Sequence, residues 1–267
     1  TIKLNEYIPV RKGDVFKAVI TSKTAPTVNL TYVRSHYTQN LSFISFDGES
    51  MKDSYDLGYI VCLKVYTVAD TTFSKLEEAI ANSTENHLDL YCDYEFNNGT
   101  DNKIGILIDR DNFVINGNGH TIDGKNQSRI FGIGGKNVTL SNLILINGNA
   151  DNGGAVFVEG TVTLNNVTFI NNYATQGGAV ALLFDYVLDI NNSKFIDNRG
   201  NVGQSIYVEN GKLNLYNTEF TSAIPTKRSQ MVFKGAEGYV DNATFANIVA
   251  NYTPAIHMEK AKALTIL

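Results

Sequence analysis

The sequence has 267 residues, of which 43% are hydrophobic and 18% are charged, with a net charge of −5. This length and composition support one large or two modest domains with an apolar core. The acidic balance argues against nucleic acid or an anionic membrane as a partner. No apolar run is long enough to span a bilayer.

Residues 1–68 alternate between apolar and polar side chains in short runs that Gly and Asp interrupt. Three such runs begin at Tyr7 (YIPVRKGDVFKAVI), Ser42 (SFISFDGESMKD) and Tyr59 (YIVCLKVYT). A period of two predicts β-strands with one buried face. Because these runs follow no longer repeat, we predict that residues 1–68 form a domain of their own.

Cysteine is scarce, which excludes a disulfide-dense scaffold and a multi-cysteine zinc site. The two cysteines are Cys62 and Cys92, 30 positions apart. They could pair as a disulfide, or each could be a small buried hydrophobic residue. The sequence leaves both interpretations open.

The segment TTFSKLEEAIANS, which begins at Thr71, predicts a helix. Phe73, Leu76 and Ile80 recur on one face, and the Ser and Thr residues before them are suited to cap its start. A short helix in front of stacked strands can cover their apolar end and protect the edge. We therefore predict an N-terminal capping helix for residues 69–267.

A repeat of about 25 residues follows, and it is visible when the chain is aligned on one asparagine per repeat. The segments are LSNLIL, LNNVTF, INNSKF, LYNTEF and VDNATF, and they align Asn142, Asn166, Asn192, Asn217 and Asn242. Three further columns are apolar: Leu140, Leu164, Ile190, Leu215 and Val240; Leu145, Phe169, Phe195, Phe220 and Phe245; and Val156, Val180, Ile206, Val232 and Ile256. Such a repeat, holding short strands separated by Gly or Asn, is typical of a solenoid.

We interpret each repeat as one coil of a parallel β-helix, in which equivalent residues stack at a spacing of about 4.8 Å. The apolar columns then form the interior. The asparagine column suits a turn with left-handed backbone angles, and its side chains can bond along the stack as a ladder. The last residues, from Pro254, match the first half of another coil, so we expect the natural polypeptide to continue.

Asparagine also appears in ten Asn-X-Ser/Thr sequons, which favour an exterior location. Asn166 and Asn242 belong to the ladder column, so we expect them to be buried in a turn and to carry no glycan. The better glycosylation candidates are Asn29, Asn40, Asn98 and Asn251.

The repeat resembles two families. GGAV at Gly153 and Gly177, with FINN and FIDN at Phe169 and Phe195, is similar to the repeats of chlamydial polymorphic outer-membrane proteins. INGNGHTIDG, from Ile115, followed by asparagine-rich coils, resembles the adhesin-like surface proteins of methanogenic archaea. Both resemblances imply that residues 71–267 form a right-handed parallel β-helix of the pectin-lyase-like type.

The runs in residues 1–68 resemble the end of the lectin-like β-sandwich that follows papain-family peptidases in archaeal surface proteins. This resemblance implies a partial β-sandwich in front of the β-helix. The fold class that we predict is therefore all-β, with the partial sandwich over residues 1–68 and the β-helix with its capping helix over residues 69–267.

Some β-helices of this type cleave polysaccharides, and the resemblance therefore raises the question of an active site. Lyases need clustered carboxylates with Ca²⁺ and a base, and inverting hydrolases need two or three acids at the scissile bond. The candidates are Asp109, Asp111, Asp123, Asp185, Asp189 and Asp197, with Arg110, Arg129 and Arg199 nearby. Solvated charges at turns explain them better, and a structural role explains His120 of GNGHTIDG. We therefore predict no catalytic residue, no metal site and no cofactor.

Tyrosines in the coils offer another kind of surface, since exposed tyrosines beside Asn and Asp can stack on sugar rings. Those in the repeat are Tyr173, Tyr186, Tyr207, Tyr216 and Tyr239. Ordinary strand propensity is the simpler explanation for them.

These observations together favour a non-catalytic, adhesin-like protein of the extracellular cell surface. Its partner would be a glycan or protein of another cell, or neighbouring copies of the chain. The alternatives are a polysaccharide lyase or glycoside hydrolase of the same fold, and a purely structural spacer.

Overall fold

The computed structural model describes residues 43–44, 52–53, 71–223, 228–248 and 254–267. The chain divides into two compact units, Thr1–Val68 and Ala69–Leu267. In the first, strands β1 (Phe43–Ile44) and β2 (Lys52–Asp53) pair antiparallel. The partial β-sandwich otherwise lies outside the described residues and stays a prediction.

The second unit begins with helix α1 (Phe73–Asn82), and its described residues then form short strands in close succession. The strands are β3 (His87–Asp89), β4 (Tyr94–Glu95), β5 (Ile106–Ile108), β6 (Val114–Asn116), β7 (Thr121–Asp123), β8 (Phe131–Ile133), β9 (Val138–Ile146), β10 (Asn149–Asn152), β11 (Val156–Val158), β12 (Val162–Ile170), β13 (Tyr173–Gln176), β14 (Val180–Leu182), β15 (Val187–Asn191), β16 (Lys194–Ile196), β17 (Arg199–Val202), β18 (Ile206–Glu209), β19 (Lys212–Thr221), β20 (Met231–Lys234), β21 (Glu237–Ala246), β22 (Ile256–Glu259) and β23 (Ala263–Ile266).

Strands β3 to β23 form three parallel sheets. One has seven strands in the order β22-β20-β18-β14-β11-β8-β5, and one has three in the order β10-β13-β17. The third has eleven strands: β23-β21-β19-β15-β12-β9-β6-β3, with β4, β7 and β16 paired beside them. Each neighbour in a sheet is the equivalent strand of the next coil. We number the coils by their strand in the seven-stranded sheet, so that the first to seventh coils contain β5, β8, β11, β14, β18, β20 and β22. The predicted right-handed parallel β-helix is therefore confirmed.

Two of the three predicted apolar columns, those in the eleven-stranded sheet, stack as predicted. In the seven-stranded sheet, however, Met231 rather than Val232 pairs with Ile206 and Ile256. Met231 points into the core, whereas Val232 pairs with Tyr207 on the outward side. Because Met231 and Val232 are both apolar, sequence alternation could not choose between them.

The interior of the eleven-stranded sheet contains a stack of phenyl rings. Phe169, Phe195, Phe220 and Phe245 follow one another with ring centroids 4.6, 4.8 and 5.0 Å apart and nearly parallel planes. Phe169, Phe195 and Phe220 are almost fully buried. Rings at this spacing exclude water and leave little empty volume, so the stack contributes strongly to the core.

The two GGAV segments form the corner that leads into the seven-stranded sheet. Gly153 and Gly177 have left-handed φ angles of 55° and 60°. A Cβ on Gly153 would clash with the carbonyl oxygen of Val156, so this corner needs glycine for space as well as for its backbone angle. The following Ala155 and Ala179 are fully buried inside the corner.

Helix α1 covers the first coil of the β-helix, with its apolar face turned inward as predicted. Phe73, Leu76 and Ile80 are buried in the same core as the strands. Glu77 accepts a hydrogen bond from the backbone N–H of Leu107 on β5, the outermost strand of the seven-stranded sheet (2.9 Å). The helix thus supplies a partner to an edge strand that would otherwise be open.

The start of α1 is capped by a residue that the sequence pattern did not indicate. Thr72 occupies the N-cap position, but its side chain does not cap the helix. Instead, the carboxylate of Asp101 accepts hydrogen bonds from the backbone N–H groups of Phe73 and Ser74, each at 3.0 Å. A negative charge at this end also interacts favourably with the helix dipole.

Candidate functional site

The asparagine column forms the bend in the middle of the long strands. All five predicted residues have left-handed backbone angles, with φ between 48° and 55°. Asparagine tolerates this conformation better than most side chains, because its short polar group can bond locally. The bend divides the eleven-stranded sheet into two segments with different outer surfaces.

The asparagine side chains also bond along the stack, with one deviation from the predicted ladder. Nδ2 of Asn166 donates to Oδ1 of Asn142 (2.8 Å), and Asn242 donates to Asn217 (2.8 Å). Asn217 donates to Asn192 at 3.3 Å. Asn192, however, donates to Asn165 rather than to Asn166 (3.1 Å). The ladder therefore shifts by one residue between the third and fourth coils.

Sequence reasoning missed a second asparagine pair, which lies inside the protein. Asn172 and Asn198 are buried, and Nδ2 of Asn172 donates to Oδ1 of Asn198 (2.9 Å). Oδ1 of Asn172 accepts from the backbone N–H of Gly148 (2.8 Å). The signal was present, since these residues end the FINN and FIDN motifs. The FxxN pattern is thus explained by a buried polar bridge between coils.

Asparagines at two further turns bond between coils. Asn171 donates to Asn147 (2.9 Å), and Asn147 donates to Asp123 (3.0 Å). At another corner, Asn137 donates to Asn112 (2.9 Å). Much of the asparagine content of the chain is therefore architectural.

The expectation that ladder asparagines are buried is wrong. Asn166 and Asn242 are exposed, although the Nδ2 of each donates to the preceding rung. The outward bend explains this, because it places the carboxamides on the surface of the coil. Among the glycosylation candidates, Asn98 is exposed in a turn, whereas Asn29, Asn40 and Asn251 lie outside the described residues.

The cysteine pair remains a prediction for the same reason. Cys92 is partly buried and forms no disulfide with any residue that the structure describes. Cys62 lies outside the described part of the chain.

Two of the candidate acids near the first coils, Asp111 and Asp123, are bound to different turns. Asp111 accepts a hydrogen bond from the backbone N–H of Lys136 (2.8 Å), whereas Asp123 interacts with Asn147 and Lys125 (3.3 Å for the ion pair). Arg110 is occupied elsewhere, because its guanidinium donates to the carbonyl oxygens of Ile80 and Ser83 at the end of α1.

Other candidate charges also have structural partners. Arg129 donates to the carbonyl oxygen of Asn152 (3.1 Å) and stacks on Phe157. His120 lies 3.0 Å from Asp93, which also accepts the Thr121 N–H. Within the described ranges, no group of three His, Cys, Asp or Glu residues could hold a metal ion, and no helix is long and apolar enough to cross a membrane.

The outer surface before the bend changes character along the β-helix. In the second and third coils its outward residues are small and polar, Thr139, Ser141, Thr163 and Asn165. In the fourth to sixth coils they include aspartate and tyrosine beside asparagine. We call these the tyrosine patch, defined as Asp189, Asn191, Asn214, Tyr216, Tyr239 and Asp241.

Strand register brings the members of the tyrosine patch together. Asp189, Asn214 and Tyr239 are cross-strand neighbours, and so are Asn191, Tyr216 and Asp241. The rings of Tyr216 and Tyr239 are 5.4 Å apart at an angle of 42°. Asn214 donates to Asp189 at 2.7 Å, which fixes both side chains.

The other tyrosines of the repeat occupy different positions. Tyr207 is buried, Tyr186 is partly buried against the core, and Tyr173 is exposed on the three-stranded sheet. The sequence identified Tyr216 and Tyr239 as candidates, but it could not separate them from these three.

The tyrosine patch contains two aspartates and no basic residue. Partial desolvation raises the pKa of Tyr239, and the negative charge of Asp241 and the neighbouring Tyr216 raise it further. Tyr239 therefore stays a neutral phenol at physiological pH. It can donate one hydrogen bond and accept others while its ring offers an apolar face.

No protein family, curated protein or solved structure matches this chain. Its function must therefore be inferred from its own geometry. The tyrosine patch combines half-exposed aromatic rings with carboxylate and carboxamide groups on a rigid surface. Such a surface can stack on a sugar ring and hydrogen-bond its hydroxyl groups.

Proposed function

We propose that this chain is a non-catalytic, adhesin-like protein of the extracellular cell surface, which binds a glycan of another cell through the tyrosine patch. The observation that carries this proposal is the Tyr216–Tyr239 pair, whose rings lie 5.4 Å apart between Asp189, Asn191, Asn214 and Asp241.

The strands that carry the tyrosine patch are bonded and packed to their neighbours, which favours a binding role. The tyrosines project from strands whose neighbours are held by the ladder and by the buried phenyl stack. A surface held in one conformation loses little entropy when it binds, so weak stacking and hydrogen bonds can yield a measurable affinity. The sequons support an exterior location, because exported proteins carry glycans at such sites.

A polysaccharide-cleaving enzyme of this fold is the main alternative. It receives less support, because Asp111 and Asp123 are bound to different turns and Arg110 is bound to the end of α1. Cleavage is nevertheless one of the outcomes that the following experiment separates.

Size-exclusion chromatography of labelled polysaccharides, each with and without the purified chain, tests the proposal. We expect at least one polysaccharide to elute at larger size with the wild type and with Tyr173→Ala. We expect no such shift with the double variant Tyr216→Ala, Tyr239→Ala. Tyr173→Ala is the matched control, because it removes an exposed tyrosine from a different sheet.

Two results would contradict the proposal. Elution at progressively smaller size would mean cleavage, hence an enzyme. No shift with any polysaccharide would favour a structural spacer or an adhesin for a protein partner.

Thermal unfolding of the double variant controls for stability. If it unfolds at the same temperature as the wild type, a loss of binding reflects lost contacts rather than a damaged fold.

A further inference from the structure

The tyrosine patch and its border carry an excess of negative charge. Asp189 and Asp241 belong to the patch, and Glu237 precedes Tyr239 by two positions on the same face of β21. Lys212 pairs across the strands with Glu237. Among the described residues of β15, β19 and β21, it is the one Lys or Arg. The local balance is therefore three carboxylates against one ammonium group.

The carboxylates also determine which ligand groups can be recognised. Asp189 and Asp241 are acceptors only, and each can receive hydrogen bonds from hydroxyl groups. A ligand carboxylate or sulfate at the same place would face like charges, which costs binding free energy. An uncharged sugar ring satisfies these acceptors without that cost.

We infer that the ligand of the tyrosine patch is an uncharged oligosaccharide that contacts at least two successive coils. This inference rests on the proposed function and specifies its ligand. Tyr216 lies on β19 and Tyr239 on the next coil, β21. A saccharide that contacts both rings therefore spans these two coils. Because the whole tyrosine patch extends over three successive strands, β15, β19 and β21, a single sugar ring covers only part of it.

An exposed tyrosine outside the patch has a cation rather than a carboxylate among its cross-strand partners, and it serves as a comparison. On the three-stranded sheet, exposed Tyr173 pairs across the strands with Arg199, which is also exposed. Tyr173 lies outside the proposed site, so Tyr173→Ala controls for the loss of an exposed tyrosine that has no carboxylate as its cross-strand partner.

The test uses one neutral oligoglucoside series and the same chains oxidised at C6, so that linkage and length stay the same while each C6 hydroxyl becomes a carboxylate. Binding is measured by isothermal titration with the full chain. We expect the neutral hexasaccharide to bind at least tenfold more tightly than its oxidised form, and at least tenfold more tightly than the monosaccharide. Tyr216→Ala and Tyr239→Ala should each weaken the neutral hexasaccharide at least fivefold, while Tyr173→Ala leaves it unchanged.

The double variant Asp189→Asn, Asp241→Asn isolates the role of charge, because carboxamides keep the shape and the capacity to accept hydrogen bonds. We expect the preference for the neutral chain to fall at least threefold. If the double variant keeps the full preference for the neutral chain, the inference is wrong. It is also wrong if the wild type binds the oxidised chain more tightly. In both cases the proposed glycan-binding function would still stand. If neither series binds and the broader polysaccharide panel also fails, the proposed function itself falls.

Discussion

The second and third coils of the β-helix can be compared with the fourth and fifth, since both pairs contribute to the same eleven-stranded sheet. In the earlier pair the interior position after the bend is filled by Leu143 and Val167. In the later pair it is filled by Ser193 and Thr218, which are equally buried. The hydroxyl of Thr218 donates to the carbonyl oxygen of Tyr216, two residues earlier (2.9 Å).

The outward positions differ more widely, from Thr, Ser and Asn in the earlier coils to Asp, Asn and Tyr in the later ones. Stacking allows an inward residue to change only if its size fits and its polar atoms find partners. An outward residue has no such restriction. The interior therefore preserves the coil, whereas the chemical variety of the sheet lies on the outward positions of the later coils, where we propose that a ligand binds.

The largest expected effect concerns the phenyl stack that crosses into the later coils. Phe195→Ala should lower the free energy of unfolding by about 4 kcal/mol, because it opens a cavity between two stacked rings. Phe245→Ala should cost less, since Phe245 is partly buried at the end of the stack. Guanidinium denaturation of both variants measures the difference, and the reverse order would contradict a core continuous across the coils.

The next effect separates buried from exposed asparagines. Asn172→Ala should cost about 3 kcal/mol, because it leaves the buried N–H of Gly148 without its acceptor. Asn217→Gly should cost about 1 kcal/mol, since glycine keeps the left-handed angle and only exposed bonds are lost. The same denaturation assay applies. Equal costs would mean that the FxxN bridge is no more important than the surface ladder.

A smaller effect is expected at the cap of α1, ahead of all these coils. Burial raises the pKa of Asp101, but hydrogen bonds from the backbone of Asn97 and Ser74, the Ser74 hydroxyl and the Phe73 N–H lower it more, so the net pKa lies below its ordinary value. Asp101→Asn should cost about 1 kcal/mol at neutral pH, as loss of a cap does.

The pH dependence of this effect has a definite sign. Because folding lowers the Asp101 pKa, its stabilisation is fully present above the unfolded value, about 3.9. It is lost as pH falls through the folded pKa. The difference between wild type and Asp101→Asn in thermal unfolding should therefore shrink below about pH 4. A constant difference down to the most acid pH would exclude a role for the charge.

The smallest effect concerns the outward surface and leaves stability nearly unchanged. Ultraviolet titration should show Tyr239 ionising at higher pH than free tyrosine, because desolvation and the charge of Asp241 oppose ionisation. Asp241→Asn should move this pKa back toward the ordinary value. Asp185→Asn is a control that removes an exposed charge from a loop outside the patch. The same shift in both variants would contradict a local interaction.

Periodicity predicted the columns because each coil repeats the same inward and outward order. It failed at Met231, where two adjacent apolar residues competed for one place, and it could not recognise Asp101 as a cap, since that residue is 28 positions from Phe73. It also failed to predict that the ladder asparagines are exposed. A pattern of Asn and Phe reports the position of a bend, but not the direction in which the carboxamide points.

The sequence by itself determined the coil length, the capping helix, the apolar columns and the bend at each asparagine, because these depend on local preferences that recur every 24 to 26 residues. Only the tertiary structure decided which outward side chains touch. Tyr216 and Tyr239 stand at different distances from their aligned asparagines, so they are diagonal rather than direct neighbours on adjacent strands. The orientation of their side chains brings the rings to 5.4 Å, and that orientation is set by the packing around each residue rather than by the repeat.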